Sequence, residues 1–250
     1  RRLFVFLEKL AARFTHKLIV VSLYDKEKGL RNHIGKEEQY LLIRYGIDYK
    51  EFTSVRPYNK AEFGIKNQEL LVGTISCFKP QKAPLDFIHL AHLVKQSLPN
   101  TKFILIGDGI LRSKIERLIK RLHLKDEVIL TGWRRDISRL LSMIDVFVLT
   151  SLWEGLPVSI LEAMASSKPV IVTNTGGVAE IIREGRTGLL VSPRDIQGMA
   201  KRLITLLQNR DLMQRMGREA KESLGNEFTV ESMTNRTIDL YQIIRGAHVN

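Results

Sequence analysis

Two glutamates flank a proline in a segment whose composition suits a phosphorylated ligand. Within Trp153–Glu162 (WEGLPVSILE), Glu154 precedes Pro157 and Glu162 follows it. Proline favours the first position of a helix, where its missing N–H costs nothing, and Gly155 lets the backbone approach a ligand closely. The exposed amides of a helix N-terminus bind anions such as a diphosphate. The pattern therefore predicts an anion site beside two carboxylates.

The same glutamates also suit the carboxylate pair of a glycosidase. Were both helical, the eight residues from Glu154 to Glu162 would separate them by about 12 Å, whereas hydrolase pairs lie roughly 5 to 9.5 Å apart. Because Glu154 precedes the helix, a loop can shorten the distance, so the spacing argues against hydrolysis without excluding it. Hydrogen bonding to sugar hydroxyls fits better. The structural alternative is one glutamate favoured by the helix dipole and one on the surface.

Gly107-Asp108-Gly109 follows an apolar run and resembles the opening of a dinucleotide-binding turn. Arg112 stands where the pattern G-x-G-x-x-G requires its third glycine, which disfavours an NAD-dependent dehydrogenase. A plain turn between a strand and a helix explains the same residues.

Gly73–Lys82 (GTISCFKPQK) follows another apolar run and contributes two cations. Lys79 and Lys82 place positive charge at the same sheet edge, although exposed loop lysines are common. The P-loop pattern G-x-x-x-x-G-K-[ST] is absent.

Two further loops complete the set. Gly176 and Gly177 precede a predicted helix, where paired glycines can approach a phosphate. Gly132–Asp136 (GWRRD) follows another apolar run, and Asp136 is predicted to cap a helix. Glycine-bearing loops after successive parallel strands lie on one rim of one sheet, where open α/β sheets bind ligands.

Apolar runs alternate with helical patterns along most of the chain. Uniformly apolar strands between helices predict a parallel sheet covered on both faces, a Rossmann-like doubly wound α/β fold. The predicted strands are Leu18–Ser22, Tyr40–Ile43, Leu70–Ser76, Lys102–Ile106, Val128–Thr131, Val146–Leu149, Pro169–Thr173 and Gly188–Val191. The predicted helices are Asp25–His33, Pro84–Gln96, Leu111–Arg121, Asp136–Met143, Pro157–Ala165, Val178–Arg183, Asp195–Gln208, Asp211–Ser223 and Glu231–Arg245.

Composition narrows the function classes. The chain has 250 residues, 44% hydrophobic and 26% charged, which is typical of a globular protein, and one cysteine, Cys77, which excludes a disulfide framework and a multi-cysteine zinc site. The net charge of +12 suits nucleic acid, an anionic membrane or phosphorylated substrates. The densest basic stretch, Arg112–Lys125, also carries apolar residues at helical spacing, so its charges form the outer face of a core helix. No nucleic-acid motif is present, and a nucleic-acid partner is not predicted.

Neither a secretory signal nor an apolar run near the roughly 20 residues of a membrane span occurs. A cytoplasmic protein is therefore expected, with contact at the inner face of the membrane left open. The chain begins at Arg1 without an initiator methionine, which suggests a fragment.

The site residues resemble the signature of retaining GT-B glycosyltransferases of the family-4 type. Glu154 and Glu162 enclose seven residues that include Gly155-Leu156-Pro157. The order of further segments agrees with the family: Gly107-Asp108-Gly109, Gly132, Asp145–Val148, Pro169–Ile171, Gly176–Glu180 and Gly188–Val191. Upstream, Val20–Ser22 and Gly46–Asp48 resemble the segment that joins the two domains of these enzymes.

The resemblance implies the C-terminal, nucleotide-sugar-binding half of a GT-B fold. Such an enzyme transfers a hexose from a UDP- or GDP-sugar to a glycan or lipid-linked acceptor, with retention and without a metal or cofactor. Residues 1–45 would be the remnant of the acceptor domain with its linker, 46–228 the Rossmann-like domain, and 229–250 a helix crossing back.

The resemblance also assigns roles. Glu162 would hold the ribose hydroxyls, Glu154 would meet the donor sugar, and Lys82 would neutralise the diphosphate. The predicted catalytic residues are Glu154 and Lys82. The predicted donor-binding residues are Glu162, Gly155, Leu156, Pro157, Gly107, Asp108, Gly109, Trp133, Arg134, Gly73, Lys79 and Cys77, with the backbone at Trp133 and Arg134 against the base.

Two positions depart from the family pattern. Cys77 stands five residues before Lys82, where the family usually has arginine, and Tyr45 stands where asparagine is usual. The first departure supports an alternative, a non-catalytic binding or scaffolding module with a degenerate donor site. Because most of an acceptor domain is missing, the chain is expected to bind nucleotide without catalysing transfer alone.

Overall fold

A computed structural model describes residues 2–56 and 58–247. The described residues fall into two compact units, of which the larger is Tyr49–Gly225 and the smaller joins the residues up to Asp48 with those from Asn226 onwards. These divisions lie close to the predicted boundaries after residues 45 and 228. The assignment of the smaller unit to an acceptor domain stays a prediction.

The larger unit contains a six-stranded sheet in which all neighbouring strands are parallel. Its strands are β3 (Leu70–Ile75), β4 (Thr101–Ile106), β5 (Val128–Gly132), β6 (Val146–Leu149), β7 (Val170–Thr173) and β8 (Leu189–Val191). The spatial order is β5-β4-β3-β6-β7-β8. This order confirms the predicted doubly wound α/β sheet. The order in which the strands follow one another along the chain reverses between β3 and β6.

Helices flank this sheet and supply its core. They are α3 (Tyr49–Thr53), α4 (Pro84–Ser97), α5 (Arg112–Arg121), α6 (Ile137–Met143), α7 (Val158–Ala165), α8 (Ile196–Leu207) and α9 (Arg210–Ser223). Phe87 of α4 meets Phe103 of β4 edge to face, with ring centroids 6.1 Å apart. Ile115, Leu118 and Ile119 of α5 are buried, which confirms that its basic residues lie on the outer face of a core helix.

Two local predictions were wrong, and one short helix was missed. The helix predicted at Val178–Arg183 is a 3-10 helix at Gly176–Glu180, because the N–H of Arg183 donates to Thr187 Oγ1 (2.8 Å) rather than continuing a helix. α3 was not predicted, since five residues are too few to show a helical period. Pro157 is the residue before α7 rather than its first helical residue.

The smaller unit contains a two-stranded parallel sheet of β1 (Leu18–Val20) and β2 (Tyr40–Leu42). Its helices are α1 (Arg2–Ala12), α2 (Leu23–Arg31) and α10 (Val230–Ala247). Arg44 is buried and joins the two chain segments of this unit: Nη1 donates to Val21 O (3.1 Å) and Nε contacts Glu227 (3.3 Å). Among residues 2–56 and 58–247, no helix is long and apolar enough to cross a membrane.

Candidate functional site

The loops after β3 and β6 face each other where the strand order reverses. In open α/β sheets this switch point forms a crevice at the carboxyl ends of the strands, and ligands bind there. The β3 loop, residues 76–83, contains Lys82, and the β6 loop, residues 150–157, contains Glu154. The sheet order thus brings the two predicted catalytic residues to the same crevice.

Lys82 and Glu154 form a buried ion pair. Lys82 Nζ lies 2.5 Å from Glu154 Oε1, and the two side chains are 17% and 6% exposed. A buried charge is tolerated only when an opposite charge or several hydrogen bonds compensate it. Glu154 therefore supplies the counter-charge of Lys82, and an anion that binds Lys82 must compete with this carboxylate.

Backbone hydrogen bonds join the same two loops. The N–H of Leu152 donates to Gln81 O (2.7 Å), and Gln81 Nε2 donates to Trp153 O (2.9 Å). These two bonds, both made by Gln81, fix the β3 loop against the β6 loop immediately before the residues of the ion pair. The crevice is consequently preorganised by contacts between its own loops.

The β4 loop packs against the β3 loop through its two glycines. Gly107 and Gly109 have φ of +134° and +154°, a region that favours glycine. A Cβ at Gly107 would overlap the carbonyl oxygen of Ser76, and one at Gly109 would lie 2.8 Å from Phe78 O. These glycines therefore allow one loop to pack on the next.

Asp108, between those glycines, is bound within its own loop. Oδ1 accepts from the N–H of Gly109 (2.7 Å) and Oδ2 accepts from Arg112 Nη1 (2.7 Å). The Gly109 hydrogen bond, followed by that of Arg112, lowers the pKa of Asp108. Its carboxylate thus stabilises the turn into α5.

The β7 loop packs against the backbone of Glu154 and Gly155. Gly176 has φ of +60°, and a Cβ there would overlap the carbonyl oxygen of Glu154. The N–H of Gly177 donates to Gly155 O (2.7 Å). The paired glycines thus permit a close approach, here to the backbone of the β6 loop, which holds Glu154 in the crevice.

Glu162 lies on α7 and is half-buried, contrary to the surface position that the structural alternative required. Burial, and then the nearby carboxylate of Glu51 on α3, raise its pKa to about 7. A group that titrates near neutrality can accept a hydrogen bond when ionised and donate one when protonated. Hydroxyl donors of a ligand would favour the ionised form.

Arg134, after β5, is held by an aspartate and a tyrosine. Its Nε and Nη2 donate to the two carboxylate oxygens of Asp136 (2.8 and 2.6 Å), and Tyr58 OH donates to Asp136 Oδ2 (2.5 Å). The Arg134 hydrogen bonds hold the pKa of Asp136 far below its usual range. Asp136 is the N-cap residue of α6, as predicted, but its side chain bonds Arg134 and Tyr58 rather than a helix N–H. The ring of the adjacent Trp133 is 69% exposed.

The remaining predicted residues differ in placement. Cys77 is half-buried in the β3 loop with a free thiol, and Lys79 is exposed. Leu156 and Pro157 are buried. Gly73 lies inside β3, in agreement with the predicted strand Leu70–Ser76, and a Cβ there would overlap the side chain of Ile144. Its contact with the donor stays a prediction.

Several residues of the site were not predicted from the sequence. Gln81, Thr150 and Tyr58 hold the loops, and Glu51 shifts the pKa of Glu162. Thr150 lies three residues before Trp153, close enough to the signature segment to have been found there. Tyr58 lies 78 positions from its partner Asp136 and carries no local signal. Within the described ranges, no cluster of three or more His, Cys, Asp or Glu side chains is placed to hold a metal ion.

Fold and site together define an open α/β protein with an anion-compatible crevice at the switch point of its sheet. Residues 55–223 match the family described as glycosyl transferases group 1. The chain belongs to this family, which confirms the prediction of a GT-B glycosyltransferase of group 1.

Relatives share sequence over much of the chain. It is 29% identical over 243 residues to the UDP-Gal:alpha-D-GlcNAc-diphosphoundecaprenol alpha-1,3-galactosyltransferase of Escherichia coli, covering 94% of this chain and 62% of the relative. It is 34% identical over 183 residues to the N-acetyl-alpha-D-glucosaminyl L-malate synthase of Bacillus anthracis, covering 73% of this chain and 48% of the relative. The chain thus spans about half to three fifths of these relatives.

Solved structures agree in fold. The Anabaena HepE protein in complex with UDP and glucose superposes with a TM-score of 0.86 at 24% identity, covering 95% of this chain and 66% of that one. The C-terminal domain of a glycosyl transferase group 1 family protein from Francisella tularensis has a TM-score of 0.67 at 24% identity, covering 74% of this chain and 100% of that one.

Proposed function

We propose that this chain is the donor-binding part of a glycosyltransferase that transfers a hexose, with retention, from a nucleotide-sugar to a glycan or lipid-linked acceptor. The observation that carries the proposal is the buried pair of Lys82 and Glu154 at the switch point. Family membership supports the activity class, and a relative named as using UDP-Gal supports the type of donor.

The site chemistry supports a division of roles. When the diphosphate enters, the ammonium of Lys82 turns to the phosphate oxygens and stabilises the negative charge that grows as the glycosidic bond breaks. Glu154, released from Lys82, accepts hydrogen bonds from the donor sugar. The first amides of α7 bind phosphate oxygens, and Glu162 accepts from the ribose hydroxyls. These cationic and amide groups let the proposed reaction proceed without a metal or cofactor.

Calorimetric titration of the chain with UDP, GDP and ADP tests donor binding. One of the three nucleoside diphosphates should bind. Glu162→Ala should weaken binding of this nucleoside diphosphate and of the corresponding nucleoside. Lys82→Ala should weaken binding of the nucleoside diphosphate and leave binding of the nucleoside unchanged. Glu222→Ala, at an exposed glutamate of α9 away from the crevice, is the matched control and should leave binding unchanged. No binding of any of the three by the unsubstituted chain would reject the proposal.

Cys77 favours a second candidate function, a nucleotide-binding or scaffolding module without catalysis. It stands where the family resemblance expects a second phosphate-binding cation, five residues before Lys82. Cys77→Arg should then tighten binding of the diphosphate by roughly tenfold through a charge-assisted hydrogen bond, whereas Cys77→Ser should not. Equal affinities of the arginine variant and the unsubstituted chain would show that the clamp is already complete, and would reject the degenerate-site candidate.

For the acceptor, the undecaprenol-linked substrate named for the Escherichia coli relative suggests a lipid-linked molecule. Such an acceptor would place the protein in the cytoplasm at the inner face of the membrane. Flotation with vesicles of anionic phospholipid tests this placement, and recovery of all protein in the unbound fraction would contradict it.

A further inference from the structure

The turn that carries Lys82 contains a residue in an unfavourable backbone conformation. Ala83 has φ of +44° and ψ of +52°, the left-handed region. A non-glycine residue is rarely stable there, and the following residue, Pro84, disfavours helical conformations at Ala83 further. Such a conformation persists only where surrounding contacts impose it. The question is therefore which contacts hold this turn.

A single buried hydroxyl group spans the turn. Thr150, in the β6 loop, is 5% exposed, and its Oγ1 lies 3.1 Å from Lys82 O and 3.0 Å from Ala83 O. Its proton is therefore shared between the two successive carbonyl groups on either side of the Ala83 Cα atom, one in the Lys82–Ala83 peptide and one in the Ala83–Pro84 peptide. The hydroxyl group thus helps to orient both peptides, the first of which directly follows Lys82.

Thr150 and Glu154 hold Lys82 at its two ends. Glu154 binds the ammonium group, and Thr150 binds the backbone. If a diphosphate draws the ammonium group away from Glu154, backbone contacts remain to aim the side chain. Within the turn, Lys82 N–H donates to Lys79 O (3.0 Å) and Ala83 N–H to Pro80 O (3.2 Å), and Thr150 is the contact that ties the Lys82 carbonyl to the neighbouring loop. The second backbone restraint, Leu152 N–H to Gln81 O (2.7 Å), acts one residue earlier and holds the loop without orienting the Lys82 carbonyl.

We propose that Thr150 is a positioning residue that orients Lys82 towards the diphosphate of the donor. This inference rests on the proposed function, because it requires a diphosphate at Lys82. Thr150 acts through Lys82 and does not touch the ligand. Its removal should therefore weaken only the binding energy that Lys82 supplies.

The test compares Thr150→Val, which keeps the shape of the side chain, with Thr150→Ser, which keeps the hydroxyl group. Binding of UDP and uridine, or the matching pair for GDP or ADP, is titrated for each variant in the whole 250-residue chain. Thr150→Val should weaken UDP roughly three- to tenfold, as expected for one hydrogen bond, and leave uridine unchanged. Thr150→Ser should bind UDP like the unsubstituted chain.

A double-mutant cycle with Lys82→Ala separates positioning from general stability. In the Lys82→Ala background, Thr150→Val should cause no further loss of UDP affinity. Equal weakening of UDP and uridine, or additive losses in the double mutant, would overturn the positioning role. If the unsubstituted chain binds no nucleotide, the proposed function fails, and the positioning role of Thr150 fails with it. If the unsubstituted chain and Thr150→Val bind UDP with equal affinity, only the positioning role fails.

Discussion

At the residue scale, the pairing of Lys82 with Glu154 makes stability and ligand binding depend on each other. Both side chains are largely buried and lie 2.5 Å apart at the closest atoms. Removing one partner of a buried pair leaves the other charge uncompensated, which costs far more than the pair itself contributes. Each of the two proposed catalytic groups therefore stabilises the fold by neutralising the other.

Glu154→Gln tests this dependence. The variant should lower the free energy of unfolding by about 3 kcal/mol, because the Lys82 ammonium group loses its buried counter-charge. UDP should then stabilise the variant more than the unsubstituted chain, since the diphosphate no longer competes with a carboxylate. Urea unfolding with and without saturating UDP measures both effects. An equal gain of stability from UDP in both proteins would argue against competition at Lys82.

The raised pKa of Glu162 leads to a prediction about pH. Its pKa is 4.5 in the unfolded chain and about 7 in the fold, so the folded state binds the proton more tightly. Stability is therefore greatest below pH 4.5 with respect to this group and falls as the pH rises through 7. Glu162→Gln should remove this loss and stabilise the protein at pH 8, relative to the unsubstituted chain, by about 3 kcal/mol.

Thermal unfolding of both proteins from pH 5 to pH 8 measures this difference. The gap in stability should widen as the pH rises and be small at pH 5. Glu51→Gln is the companion variant, because it removes the lesser cause of the shift and should reduce the pH dependence only in part. A gap independent of pH would mean that Glu162 does not titrate in this range.

At the scale of elements, the loops of the sheet form one connected assembly. Those after β3, β4, β6 and β7 contact each other through backbone groups, and glycines stand where the backbones approach most closely. From the sequence, Gly107, Gly109 and Gly176 were predicted to approach a ligand. In the structure, each allows its loop to pack against the backbone of the neighbouring loop. The site at Lys82 and Glu154 is consequently sensitive to side chains that never touch it.

Gly176→Ala shows this sensitivity against a matched control. Gly176 and Gly185 both have a positive φ, +60° and +73°, but a Cβ at Gly176 would overlap Glu154 O whereas one at Gly185 has nothing within 4 Å. Both substitutions should cost roughly 1 kcal/mol of conformational strain. Only Gly176→Ala should also displace the Glu154 backbone and weaken UDP binding. Calorimetry and thermal unfolding check this, and normal UDP binding by Gly176→Ala would refute the supporting role of the β7 loop.

At the scale of the whole molecule, the two units differ in how completely they bury apolar side chains. The larger unit encloses its core on both faces of a six-stranded sheet. In the smaller unit, several large apolar side chains of α1 and the following turn are exposed: Leu3, Phe4, Phe6, Leu7, Leu10 and Phe14. Monomeric proteins rarely expose extended apolar patches.

The chain is therefore expected to self-associate through α1. Replacing Phe4 and Phe6 together with aspartate should reduce the apparent mass in light scattering and lower the fluorescence of a bound hydrophobic dye. Replacing the partly exposed Lys9 of the same helix with alanine is the control and should change neither. If the unsubstituted chain is monomeric and binds no dye, the exposed surface is too dispersed to act as a patch.

The sequence by itself determined the class of fold, because short apolar runs such as Val146–Leu149 alternate with helical patterns, which is typical of buried parallel strands, and glycine-bearing loops after parallel strands share one rim. It also determined the family, through the spacing of Glu154 and Glu162. It could not give the contact between Lys82 and Glu154, which are 72 positions apart and meet only because β3 and β6 are neighbours. The raised pKa of Glu162 and the hold of Thr150 on Ala83 were likewise decided by packing, since burial and hydrogen-bond partners depend on elements distant in the chain.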